Sequence, residues 1–281
     1  RIGNIIAPLL KKGQSVHQIL AAHRNEIRLS ERTLYHYIET GVFETFGIDC
    51  FSLKEQVNRK RFKGKYKPRK EKADYTGRTY NDFLNLLSED AEISYVEMDT
   101  VMNSLSGPYI QTIMHKRTKL MIGFIHREKT SKSMSDTFDM LQQKLGRNLF
   151  TALFPVVLAD RGAEFEKYEM FESDSDGLTR CRMFYCDPMQ SSQKPHVENN
   201  HNYVRDIIPN GYPLDKIVQE DLDIMFSHIN STPRKSLADK TPYEMFVFLY
   251  GKETADLLNM SCIERDEVTL KPTLLNHVYK R

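Results

Sequence analysis

Apolar side chains recur along this chain at two periods, and the change from one to the other comes near residue 93. Before it, Val16, Ile19 and Leu20 stand at helical spacing behind Ser15, a good N-cap residue, and predict a short helix over 16–23. Ser30 caps a second helix over 31–39, with Leu34, Tyr37 and Ile38 as its apolar stripe, and Gly41 sits where a helix stop belongs. Beyond residue 93, runs rich in Ile, Val, Tyr, Met and Phe predict strands over 93–102, 109–114 and 119–126, with Gly107-Pro108 and 116–118 as punctuation. A helix over 133–145 follows, with Met134, Phe138, Leu141 and Leu145 on one face. The nearly all-apolar stretch 153–159 reads as a buried strand and 183–186 as another, and a helix over 197–205 ends before Pro209. This order predicts an α/β fold on a mixed sheet, preceded by a small all-α module.

The two leading helices, joined by the connector 24–29, fit a helix-turn-helix whose second helix offers Arg32, Thr33, Tyr35 and His36 as DNA contacts. A helical hairpin with no DNA role is the alternative. Charge shifts the balance between them. The whole chain of 281 residues carries 40 Lys and Arg against 38 Asp and Glu, a net +2 that says little. Divided after Lys72, it becomes 16 basic against 7 acidic residues and then 24 against 31, or +9 followed by −7. The stretch 59–72 alone holds nine basic residues: Arg59, Lys60, Arg61, Lys63, Lys65, Lys67, Arg69, Lys70 and Lys72, with Phe62 and Tyr66 between them. Such density suits phosphate neutralisation by counterion release, so a DNA-binding arm on a separate acidic body is the expectation.

Other classes fall away. No apolar stretch approaches the roughly 18 residues of a membrane span, and no apolar leader segment follows Arg1, so a cytoplasmic, non-secreted protein is expected. Arg1 in place of Met leaves room for residues before it. Four cysteines do not make a disulfide framework, and Cys50 and Cys262 are expected to be packing residues.

Three acids stand where burial alone would not put them. Asp99 falls within the first strand, in VEMDTV, on the same face as Glu97 by alternation. Asp160 ends the buried strand, where α/β sheets place ligands, with Glu164 four residues on as a rival. Glu198 begins the last predicted helix, and Arg205, seven residues later on the same face, is placed to hold a phosphate. Three converging carboxylates repel one another, and bound Mg²⁺ or Mn²⁺ offsets that repulsion. Two such ions would serve phosphodiester chemistry.

These passages resemble the DDE transposases of bacterial insertion sequences, the insertion-sequence 30 family in particular. VEMDTV resembles the family's Trp-Glu-x-Asp-Thr-Val strand, with Val96 in place of Trp. ADRGAEF resembles its Asp-x-Gly-x-Glu-Phe turn, with Arg161 where Asn is common. CDP…HVENNHNYVRDIIPNG resembles its Asp-Pro…Glu-Asn…Arg…Pro-Lys-Gly segment, with His201 and Asn210 as departures. INSTPRKSLADKTPYEMF resembles the Asn-x-x-Pro-Arg…Thr-Pro-x-Glu-x-Phe run shared with retroviral-type integrases. The resemblance implies a ribonuclease-H-like catalytic domain. It assigns Asp99, Asp160 and Glu198 as catalytic and metal-binding residues and leaves Glu164 outside the triad. It further implies binding of terminal inverted repeats in double-stranded DNA, metal-dependent cleavage and strand transfer, and a homo-oligomer on DNA. The corresponding organisation is a helix-turn-helix region at 1–50, a basic linker at 51–75, the catalytic domain at 76–250 and an extension at 251–281.

Competing readings were a catalytically silent DNA-binding regulator of transposase descent, a nuclease of the same fold, and a zinc site at Cys181, Cys186, His196 and His201. Opposed strand faces at 181 and 186 favour buried thiols and DNA-facing histidines over zinc. Tyr35, Tyr66 and Tyr203 have polar or basic neighbours that suit DNA contact, and the acidic stretch 172–176 reads as a surface loop.

Overall fold

The computed structural model describes residues 2–53, 73–104, 106–188 and 190–279. The eight basic candidates from Arg59 to Lys70, and Tyr66 among them, lie outside the described residues.

The first apolar stripes close on one another to make a small core of their own. Helices α1 (Ile2–Lys11), α2 (Val16–Ala22) and α3 (Glu31–Glu39) bury Ile6, Leu10, Ile19, Leu34 and Ile38 together. Ser15 and Gln18 form a reciprocal capping box on α2, and the Ser30 hydroxyl accepts the Thr33 N–H to start α3. Sequence reasoning missed α1, because Pro8 interrupts its pattern. The module is tied to a distant part of the chain. Gln14 Nε2 donates to the carbonyls of Arg265 (2.9 Å) and Val268 (3.0 Å), and Leu270 N–H donates to the Lys12 carbonyl. Lys235 pairs with Glu31 at 3.0 Å, and His17 and Arg24 both meet Asp239.

After α4 (Tyr80–Glu89), strands β1 (Val96–Met102), β2 (Tyr109–His115) and β3 (Met121–His126) form an antiparallel meander. Helices α5 (Ser131–Leu145) and α6 (Arg147–Leu153) cross to β4 (Val156–Ala159), and α7 (Tyr168–Glu172) leads to β5 (Arg182–Tyr185). Both β4 and β5 run parallel to β1, giving the order β3-β2-β1-β4-β5 among the described residues. A mixed sheet of this order with helices on both faces is the ribonuclease-H-like fold. The stretch 153–159 is not one strand: α6 runs through Leu153, and only Val156 onward is extended. Pro155 explains the break, since it disfavours helical backbone at the residue before it.

One sheet face carries Glu97, Leu158 and Gly123, and the other carries Met98 and Gln111. Phe83 of α4 meets Phe184 on the first face with ring centroids 5.8 Å apart. Helices α8 (Pro195–Ile207) and α9 (Gln219–Asn230) lie beside it, and α5 covers the second face, where Gln111 reaches the Met134 carbonyl. Gly123 sets how close α9 can come: a Cβ there would stand 2.2 Å from the Phe226 ring. Helices α10 (Pro242–Tyr250), α11 (Lys252–Leu257) and α12 (Asn276–Tyr279) complete the chain. No helix among the described residues is long and apolar enough to cross a membrane.

The acidic stretch turns at the surface, with Asp176 exposed as expected, but two of its acids are engaged. Glu172 takes Arg78 at 2.6 Å and the Met183 N–H, while the Asp174 side chain, 5% exposed, accepts Gln142 and pairs with Arg147. Beside it the fully buried Arg180 donates to the Met170 and Phe171 carbonyls and to Asp139, which fixes the end of α7 against α5. Glu172 and Asp174 are anchors for the partly exposed guanidinium groups of Arg78 and Arg147.

Candidate active site

Strand register brings the first two candidate acids together. In the parallel pair, Val96 lies opposite Val157 and Glu97 opposite Leu158. Two residues further along each chain come Asp99 and Asp160, side by side on adjacent strands and on the same face. The turn after Asp160 is tight. Its carboxylate accepts the Gly162 N–H at 3.0 Å, and a Cβ at 162 would lie 2.6 Å from Glu164 Oε2 and 2.9 Å from Asp160 Oδ1. Glu164 itself is buried and paired with Lys129 at 3.0 Å.

The third acid arrives on α8. Along this helix Val197, Asn200, Val204 and Ile207 are buried, while Lys194, Glu198, His201 and Arg205 follow one another at three- and four-residue steps along an adjacent stripe. That stripe reaches Asp99 at two points: Lys194 Nζ is 3.3 Å and His201 Nδ1 4.0 Å from Asp99 Oδ2. Glu198 therefore lies between two residues that reach the site. Among the described residues no three His, Cys, Asp or Glu side chains stand close enough to form a metal set, so the convergence seen is that of Asp99 and Asp160.

Sequence reasoning missed Lys194. Its side chain is 4% exposed and its ammonium donates to the Met98 carbonyl (3.1 Å) while lying 3.3 Å from Asp99 and 3.8 Å from Asp160. Burial opposes the charge on Lys194, but the two carboxylates outweigh it and hold the ammonium above its usual pKa. Asp160 is pushed up, first by loss of solvent around it and then by the negative charges of Asp99 and Glu164, with Lys194 opposing. Oxygen donors already gathered around one cation fit a hard divalent ion. Asp99, Asp160 and, one turn along α8, Glu198 are the residues that would hold it.

Glu97 was read only as a neighbour of Asp99, yet it fixes where α8 begins. Fully buried, its Oε2 accepts the N–H groups of His196 (3.0 Å) and Val197 (2.7 Å) at the helix start, where the helix dipole favours negative charge. Burial nevertheless raises its pKa, and Oε1 has no hydrogen-bond partner in the structure. Glu97→Ala is expected to cost about 2–4 kcal/mol by orphaning two buried N–H groups. Glu97→Gln retains an acceptor oxygen without a buried charge and is expected within about 1 kcal/mol of the parent at pH 7.5. Urea unfolding checks both; equal losses would mean that charge, and not acceptor geometry, seats the helix.

Beside the carboxylates, a polar cleft of about 770 Å³ runs along the next face of α8, lined by Lys119, Asn199, Asn202, Tyr203, Arg205 and Arg234. Arg205 donates to the Met102 carbonyl (3.1 Å) and to Asn103, which fixes the loop after β1. The Arg234 guanidinium stacks 3.9 Å above the Tyr203 ring and so covers one face of a candidate DNA contact. On α3, Arg32 and His36 are exposed. Tyr35 is half-buried against the module's core, and Thr33 is engaged with Ser30 in the helix cap.

The zinc reading fails on placement. Cys181 bonds the Phe171 carbonyl at one end of β5, and Cys186 packs with Phe83 and Phe184 at the other. His196 meets Lys119, and His201 meets Thr112. Burial pushes both thiols up to about 12, so they are inert buried thiols as expected. The expectation for the other two cysteines is overturned: Cys50 and Cys262 are exposed.

No family model matches the chain. Among known proteins it is 26% identical over 149 residues to the InsI transposase of insertion element IS30C from Escherichia coli K12, covering 52% of this chain and 36% of that one. The chain is similar to the insertion-sequence 30 transposases. It is also 25% identical over 219 residues to the integrase-named ORF3 protein of Spiroplasma virus SpV1-R8A2 B, covering 77% of this chain and 62% of that protein. The chain spans less than two thirds of the length of either relative. The catalytic core domain of BIV integrase superposes with a TM-score of 0.41 at 16% identity, over 57% of this chain and 97% of that one. At that distance the fold rests on strand order.

Proposed function

We propose that this chain is a DDE-type polynucleotidyl transferase that binds the terminal inverted repeats of a mobile element, cleaves there and joins the new ends to target DNA. The observation that carries the reading is the pairing of Asp99 and Asp160 by strand register around a single buried cation, on a transposase-related sequence. In this reading Asp99, Asp160 and Glu198 hold two Mg²⁺ or Mn²⁺ ions. When bound, such ions supply Lewis-acid activation of the attacking oxygen and neutralise charge on the leaving one.

The chain's own residues do the rest. Glu97 seats α8 so that Glu198 is presented at a fixed angle to β1. Arg205, held by Asn103 and Met102, offers its remaining N–H groups to a phosphate in the cleft. Arg32 and His36 on α3 read the DNA, with Thr33 and Tyr35 behind them. The basic stretch from Arg59 to Lys70 follows the phosphate backbone, and its binding weakens steeply with salt. Two DNA ends must be held at once, so a dimer or larger assembly on double-stranded DNA is part of the proposal.

The test uses labelled duplexes carrying candidate element ends, with Mg²⁺ or Mn²⁺. Nicking at the element end followed by joined products is the expected result. Specific binding without any nick would make the protein a DNA-binding regulator, and nicks that never join would make it a nuclease.

A further inference from the structure

We propose that Lys194 is a built-in counter-cation, holding Asp99 and Asp160 together in the metal-free protein and competing with a divalent ion for the same oxygens. The inference rests on the metal-binding reading above and assigns Lys194 a positioning role.

An ammonium has three N–H donors and no acceptor, and in a buried place each donor needs a partner. Lys194 faces three oxygens: the Met98 carbonyl at 3.1 Å, Asp99 Oδ2 at 3.3 Å and Asp160 Oδ2 at 3.8 Å. The carbonyl contact is a hydrogen bond and the two carboxylates are ion-pair partners, with the side chain almost wholly removed from solvent. The need for such a cation comes from the sheet. Parallel pairing of β1 with β4 places the two acids on neighbouring strands, where like charges repel whether or not metal is present. Lys194 comes from outside that pair, at the N-cap position of α8 and one turn ahead of Glu198. One short segment therefore brings both the resident cation and the acid that completes the metal set. A divalent ion that binds Asp99 and Asp160 must displace the ammonium from Asp99 Oδ2 and Asp160 Oδ2, so the lysine weakens metal binding while keeping the pair assembled.

The experiment is Mn²⁺ binding to the full 281-residue chain, followed by electron paramagnetic resonance of the free ion, with melting temperatures in EDTA and in saturating Mn²⁺. Lys194→Gln is expected to tighten Mn²⁺ binding about tenfold, the effect of removing one charge-assisted competitor. Its melting temperature should fall in EDTA and recover with Mn²⁺. Lys194→Arg, which keeps the charge, should stay close to the parent in affinity. If Lys194→Gln binds Mn²⁺ no more tightly than the parent, or if its melting deficit persists at saturating Mn²⁺, the proposal is overturned. Folding of this variant only with Mn²⁺ supports it, and failure to fold in either condition marks Lys194 as merely structural and refutes it. Asp99→Asn separates the two levels of the argument. If no bound Mn²⁺ depends on Asp99 in either background, the metal reading itself is wrong; if binding depends on Asp99 but ignores Lys194, only this inference falls.

Discussion

Asp99→Asn is expected to lower metal-dependent DNA cleavage by on the order of a thousandfold or more, about 4 kcal/mol of barrier, while DNA affinity stays within about twofold. Asparagine has nearly the same shape and retains an oxygen to accept the Thr100 N–H, which Asp99 Oδ1 takes at 2.8 Å. It lacks the charge that a divalent ion requires. The DNA contacts proposed for α3 and the basic stretch lie elsewhere, so binding should persist with its salt dependence unchanged. The substitution has a second, separable effect. Lys194 would lose one of two carboxylate partners while remaining buried, at a cost of about 1–3 kcal/mol. Melting curves must therefore accompany the cleavage assay. Metal-dependent cleavage near the parental rate by a folded Asp99→Asn protein would remove Asp99 from the active site.

The second large effect is on stability in acid. His115, His126 and His228 are buried, and burial holds each down to about 4. Two of them also accept a backbone N–H, from Thr269 at His228 Nδ1 and from Thr118 at His115 Nδ1, which a protonated imidazole cannot do. A histidine whose folded pKa is depressed binds its proton more readily in the unfolded chain. Stability is then fully present above about 6.5 and is lost as pH falls toward 4. Each ring contributes roughly 1–3 kcal/mol across that window. Glu97 and Asp160 act in the opposite sense, since their raised pKa values favour the folded state as they protonate. Three deeply buried rings outweigh two acids, one of which is half exposed. Unfolding free energies in urea should fall steadily between pH 6.5 and 4.5, and His228→Gln should flatten the slope. A flat or rising profile would refute the assignment of these rings as neutral.

How much of this was legible beforehand depends on the kind of signal. Asp99 and Asp160 announced themselves because an acid inside or at the end of an apolar strand is costly without a partner, and strand periodicity then placed them on one face. Lys194 gave no such sign. It follows a polar stretch in which one more lysine is unremarked, and only its spacing of one turn before Glu198 hinted at a shared face. Glu97 was visible as an acid on the right face, but the helix start it receives is a contact across 99 residues. Helix α10 escaped because its residues are apolar nearly all round, leaving no stripe to find. The exposed Cys50 and Cys262 mark the opposite failure, where a residue type's usual burial was allowed to stand for its environment.

The tie between Gln14 and the carbonyls of Arg265 and Val268 has a consequence in time. It closes a loop of roughly 250 residues. Helices α1 to α3 carry enough core to fold as they leave the ribosome, but their seat is synthesised only with residues 265–270. Until then the module is held to the later chain by the ion pairs of Glu31 with Lys235 and of His17 and Arg24 with Asp239. A product interrupted before residue 265 therefore lacks the Gln14 and Lys12 hydrogen bonds that fix the seat of these helices.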